Sequence, residues 1–142
     1  MMKGDCAANQ KSWSALISLL PGGTPVVPFV TVNNICVVSY SDLNVWLGQQ
    51  GIRVGWDQLV GIKALDCIEW YCLKHNLPDL TALVVHKQDQ LPGDGFFRSN
   101  QIPMANRANL HNLWLQIAQQ VIANPANYPI QPPPNLCSYG NC

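Results

Sequence analysis

Apolar residues recur at helical spacing in several stretches and gather without alternation in others. The first stripe is Trp13, Leu16, Ile17 and Leu20, with Ser12 placed to cap the helix and Pro21-Gly22-Gly23 to end it. Residues 24–38 are rich in β-branched side chains around a central Asn33-Asn34, the pattern of a β-hairpin or two short strands. Pro25 and Pro28 favour an edge position there. Ser39 is a second cap, for a short helix from Tyr40 to Leu47 closed by Gly48. Gly51 to Trp56 reads as a turn or short extended link. Asp57 then caps a longer helix to about His75, with Leu59, Ile62, Leu65, Ile68 and Cys72 as its apolar stripe and Asn76 and Pro78 as its stop. The run Leu80 to His86 predicts a strand buried on both faces. A Gly/Pro turn carrying Phe96 and Phe97 follows it. The last helix has the clearest period, with Leu110, Leu113, Trp114, Ile117, Ala118, Val121 and Ile122 on one face and uncharged amides on the other.

These elements predict an α+β fold: a small mixed or antiparallel sheet with three to four helices. Residues 1–123 form one globular domain. Prolines at 125, 129 and 132–134 make residues 124–142 an extended, partly polyproline-like tail that either wraps the domain or stays loose.

Composition narrows the function classes. Eight Lys+Arg balance eight Asp+Glu in 142 residues, and only 11% of residues are charged. A neutral chain lacks the basic excess behind a strong, sequence-independent grip on nucleic acid. No apolar run approaches the ~18 residues of a membrane span, so no membrane partner is expected. The start has no apolar signal-like segment, which predicts a cytoplasmic protein with reduced thiols. Of six cysteines, Cys36, Cys67 and Cys72 read as small buried hydrophobes. Cys137 and Cys142, in the tail, are free thiols or a bridge. The shared C-x4-C spacing of Cys67–Cys72 and Cys137–Cys142 raises a zinc site. Cys67 and Cys72, however, lie on one helix about 140° apart, so neither metal nor cofactor is expected.

The central segment, residues 37–96, has a recognisable order. VVSYSDLNVWLG is followed by DQLVGIKAL, a helix ending at Asn76-Leu77-Pro78, and TALVVHKQDQLPGDGF. It resembles the winged-helix DNA-binding domain of the alkylguanine-DNA alkyltransferases and their catalytically inactive alkyltransferase-like relatives. That family reads S-Y at the start of a helix, then R-A-V-G, N-P and P-C-H-R. Its helix-turn-helix enters the DNA minor groove and flips an alkylated guanine into a pocket. The resemblance implies a winged-helix-like centre in which Tyr40 lies against the DNA backbone, and Gln58 stands where the family's arginine fills the gap left by the extruded base. Thr81 falls near the family's acceptor cysteine, with Ala82 and Leu83 at the histidine and arginine after it. A threonine hydroxyl without an adjoining base does not accept an alkyl group at useful rates. What the resemblance leaves is a binding scaffold. Arg53, just before the helix 57–75, and Lys87, in the presumed wing, are its candidate phosphate contacts, although that helix carries Asp57, Asp66 and Glu69 against Lys63 and Lys74.

Among the remaining candidates, His75 complements a helix C-terminus and His111 is a solvated surface residue. His86, at a strand end with Asp89 and Asp94 nearby, is the best general base; His86, Asp94 and Thr81 together make a candidate for a small hydrolase-like enzyme. LPGDGFF offers a carboxylate at Asp94 and stacking surface at Phe96 and Phe97, or else a tight turn whose rings fold back onto the core, with no helix beginning there. Trp13 and Trp114 fall on apolar stripes, and Trp46 and Trp70 lie next to such stripes. Trp56, between Gly55 and Asp57, is least explained by packing; with Tyr40 it makes an aromatic surface for a base, a nucleotide or a partner chain. The expected function is a non-catalytic binding module directed at DNA through Tyr40, Arg53, Trp56, Gln58, Lys87, Asp94 and Phe96. The alternative is an inhibitor of the kind made by phages and other mobile elements, binding a host protein or nucleotide.

Overall fold

The computed structural model describes residues 5–103 and 107–138. Its first helix, α1 (Cys6–Ile17), begins earlier than the apolar stripe suggests. Asp5 is the cap, its carboxylate accepting the Ala8 N–H at 3.0 Å. Ser12 is therefore not a cap but a buried mid-helix residue among Trp13, Ala15 and Leu16. Asn33 and Asn34 both adopt positive φ (51° and 66°) and close a tight hairpin between β1 (Val30–Val32) and β2 (Ile35–Ser39). Asparagine tolerates that left-handed backbone, which two-residue hairpin turns require. Ser39 ends β2 and caps α2 (Tyr40–Gln49), as expected, by accepting the Asp42 N–H at 3.0 Å.

The single helix expected over 57–75 is broken. A 3-10 turn at Asp57–Leu59 leads into α3 (Val60–Lys63), the chain interrupts at Ala64 and Leu65, and α4 (Asp66–Lys74) starts afresh. The break is made by α1. Asn9, fully buried, donates its amide to the Lys63 carbonyl at 3.0 Å and accepts the Cys67 N–H at 3.0 Å. The Asp5 N–H adds a second donor to Lys63 at 2.8 Å. One side chain thus bridges the last turn of α3 and the first turn of α4, sharing the Lys63 carbonyl with the Asp5 N–H and the Cys67 N–H with the Asp66 carboxylate.

The buried strand over Leu80–His86 also needs correction. Leu80–Leu83 is a 3-10 turn introduced by Asp79, and only β3 (Val84–Val85) joins the sheet, parallel to β2. Burial of Leu80, Leu83, Val84 and Val85 is as expected. The sheet is mixed, in the order β1-β2-β3, and the fold is α+β. LPGDGFF is not merely a turn. Gly93 precedes a short helix, α5 (Asp94–Ser99), which turns Phe96 and Phe97 into the core, edge to face with centroids 5.3 Å apart. The final helix, α6 (Arg107–Ala123), buries Trp114, whose indole donates to the Ala82 carbonyl at 2.8 Å.

The proline-rich segment wraps the domain. Tyr128 and Leu136 are buried; Tyr128 donates to the Pro78 carbonyl at 2.6 Å, and Trp13 donates to the Pro129 carbonyl at 2.8 Å. Cys6, Cys36, Cys72 and Cys137 are free, so no bridge joins Cys137 to Cys142, which lies outside the described residues. Cys67 is buried but disulfide-bonded rather than a free thiol. Among the described residues no helix is long and apolar enough to cross a membrane.

Candidate functional site

The start of α2, the end of β3 and the start of α5 meet at three residues. The Tyr40 ring lies against His86 with centroids 4.7 Å apart, and its hydroxyl accepts the Gly93 N–H at 2.8 Å. Burial holds the Tyr40 phenol above its ordinary pKa, with the Gly93 hydrogen bond partly opposing. Between β3 and α5 the chain turns back on itself: the His86 N–H donates to the Leu91 carbonyl, and Asp89 accepts the Leu91 N–H at 3.0 Å.

This junction forms one wall of a cleft of about 530 Å³, whose other walls are α3, α4 and the exposed face of α5. Four carboxylate residues line it, Asp57, Asp66, Glu69 and Asp94, against the single guanidinium of Arg98. Trp56, the residue before Asp57, is 71% exposed, and Ile62, on the lining itself, is 43% exposed.

Behind Glu69 runs a polar network that crosses three elements. Thr81 donates its hydroxyl to Asp79 at 2.7 Å and stands 3.3 Å from Glu69. Asn100 donates to the other Asp79 oxygen at 3.0 Å, and Ser99 donates to Glu69 at 3.0 Å. A hydroxyl has one hydrogen; once Thr81 gives it to Asp79, it faces Glu69 as an acceptor, which suits a protonated Glu69. Burial and the neighbouring Asp79 carboxylate accordingly push Glu69 up to about 8. Desolvation raises Asp79 as well, opposed by its bonds to Thr81 and Asn100.

Tyr40, Gln58, His86, Asp94 and Phe96 all contribute to the cleft lining. Thr81 does not join them as a nucleophile: it is 2% exposed, and its hydroxyl is committed to Asp79. His86 and Asp94 are both exposed on the cleft, and no hydrogen bond between them occurs among the described residues. Lys87 sits in the turn after β3, paired with Asp42 at 3.4 Å, beside a separate hollow lined by Phe29 and Val30. Arg53 is exposed in the link before Trp56 and outside the cleft lining.

Glu69, Asp79, Arg98, Ser99 and Asn100 were not legible as site residues. Asp79 preceding Thr81 has the spacing of a side-chain cap, which signals a turn and not a site. Their convergence depends on the break at Ala64–Leu65, which sets the direction of α4. No group of three or more potential metal ligands occurs among the described residues. Comparison with family models, with curated proteins and with solved structures finds no match to this chain, so the reading of the cleft rests on its own geometry.

Proposed function

We propose that the protein is a non-catalytic binding module that docks a basic segment of a partner protein in the cleft between α2, α3–α4 and α5. The observation that carries this reading is the lining: the Asp57, Asp66 and Asp94 carboxylates against Arg98, with Glu69 protonated at neutral pH, and the exposed ring of Trp56 one residue before Asp57. A carboxylate-lined concavity repels phosphate and draws a lysine or arginine side chain. An exposed tryptophan next to Asp57 in the chain is the kind of anchor that dominates protein interfaces. DNA and nucleotide ligands fit this lining less well, and the broken 57–74 segment offers no continuous helix to lay in a groove. The enzyme reading loses its nucleophile with the burial of Thr81.

The test is calorimetric titration of the full chain with three probes: a short arginine- and leucine-containing peptide, its glutamate counterpart, and a short DNA duplex. Binding confined to the basic peptide, weakened by salt and reduced several-fold by Asp94→Asn, supports the reading. Equal binding of the acidic peptide, salt-steep binding of the duplex, or no binding of any probe overturns it.

A further inference from the structure

The cysteine left unexplained in the C-terminal segment has a companion. Cys6 is the first residue of α1, and Gln10, one turn further along the same helix face, donates its amide to the Cys137 sulfur at 3.8 Å. Cys137 belongs to the 3-10 turn Leu136–Ser138, held down by fully buried Leu136. The Gln10 contact sets the Cys137 thiol against the helix face that carries Cys6, and the two thiols interact. Both are free and both are partly open to solvent, whereas Cys72 is sealed in the core and Cys36 lies on β2.

We propose that Cys6 and Cys137 are a dithiol modification site that low-molecular-weight disulfides oxidise to an intramolecular bridge, fastening the wrapped C-terminal segment to the start of α1. The reaction is thiol–disulfide exchange. One protein sulfur, as thiolate, attacks a sulfur of the small disulfide, forming a mixed disulfide and expelling one small thiol. The second protein sulfur, on losing its proton, attacks the protein sulfur of that mixed disulfide and expels the second small thiol. Two protein thiols are oxidised, and one small disulfide is reduced to two thiols. Burial and the neighbouring Cys6 thiol push the Cys137 thiol up to about 12, so Cys137 makes little thiolate. The bridge would close almost the whole chain into one loop, restricting the unfolded ensemble. It adds a covalent tie to a segment now held by the Trp13–Pro129 and Tyr128–Pro78 hydrogen bonds.

The experiment incubates the full chain with oxidised glutathione under native conditions, alkylates the remaining thiols, and maps peptides without reduction. A Cys6–Cys137 linked peptide, two hydrogens lighter than the separate thiols, is expected. It should persist in Cys36→Ser and disappear in Cys6→Ser, where thermal unfolding also no longer shifts upward on oxidation. The same treatment in denaturant should scatter the links among other cysteines. Stable glutathione adducts on both Cys6 and Cys137, both residues recovered alkylated, or either one bridged to a different cysteine under native conditions overturns the proposal.

Discussion

Tyr40 and Gly93, 53 residues apart in sequence, are joined by one hydrogen bond in which the phenol oxygen accepts the glycine N–H at 2.8 Å. That bond ties the start of α2 to the start of α5 and holds the loop carrying His86 against the cleft. Tyr40→Phe keeps the ring stacked near His86 but leaves a partly buried N–H without its acceptor. The expected cost is about 1–3 kcal/mol in denaturant unfolding. Gly93→Ala is the contrasting case. Gly93 has an ordinary φ of −72°, and an added Cβ would meet His86 and Tyr40 at 3.4 and 3.5 Å, at the near edge of normal contact. A change within about 0.5 kcal/mol is expected, so a loss as large as that of Tyr40→Phe would mean that the phenol bond is not what secures the junction.

Asn9 supports a prediction about the broken helix. Its amide reaches the Lys63 carbonyl and the Asp66 carboxylate at 3.0 and 3.1 Å, and its oxygen takes the Cys67 N–H. Asn9→Ala removes one of two partners from each backbone group, since the Asp5 N–H still reaches Lys63 and the Asp66 carboxylate still accepts the Cys67 N–H, so a cost of about 1–2 kcal/mol is expected. Asn9→Asp retains the acceptor but places a carboxylate against a carbonyl and Asp66, so it should be at least as damaging. Equilibrium denaturation of the two variants gives the comparison, and a milder Asn9→Asp would show that acceptance from Cys67 is the bond that matters.

The parts of the fold that were legible in the sequence are those set by neighbours along the chain. The Asn33-Asn34 turn, the Ser39 cap and the stripe of the last helix each need only local residues to specify them. The break between α3 and α4 was hidden because its cause, Asn9, lies 54 residues from Lys63, while the local stripe from Leu59 to Cys72 reads as uninterrupted. The Leu80–Leu83 turn was mistaken for strand for a related reason: an apolar run reports burial, and burial alone does not separate a 3-10 turn from a β-strand. Phe96 and Phe97 read either as stacking surface or as rings folded back onto the core, and the second holds, although by a short helix after Gly93 that the sequence did not announce. Of the cleft, Tyr40, Gln58, His86 and Asp94 could be singled out residue by residue. The Glu69–Thr81–Asp79 network could not, since each member looks like an ordinary polar residue until the chain is folded.

Glu69 gives the pH dependence a definite sign. Its folded-state pKa lies near 8 against 4.5 for the free side chain, so between those values the folded protein holds a proton that the unfolded chain has released. Stability therefore falls as pH rises through that window, and the full penalty of a charged Glu69 is present above it. Glu69→Gln mimics the protonated form, and its amide can still serve Thr81 and Ser99. The variant should match the parent near pH 4.5 and exceed it above pH 8 by about 1–2 kcal/mol after solvent screening. Chemical denaturation at several pH values measures the difference. Parallel profiles for the two proteins would show that Glu69 is already ionised at neutral pH.

Trp56 separates a docking role from a structural one. At 71% exposure it buries little surface, so Trp56→Ala should change stability by no more than about 0.5 kcal/mol. If the ring is the anchor beside a carboxylate-lined cleft, the same substitution should weaken binding of the arginine–leucine peptide by roughly 10-fold or more, the range of an interface hot spot. Asp94→Asn should act differently. It removes a charge from the lining without touching the anchor, so its loss of affinity should shrink as ionic strength rises, while that of Trp56→Ala persists. Titrations of both variants at low and high salt resolve the two contributions. A Trp56→Ala protein that binds the peptide as the parent does would leave attraction by the carboxylates as the whole of the recognition, and the aromatic edge would have no part in it.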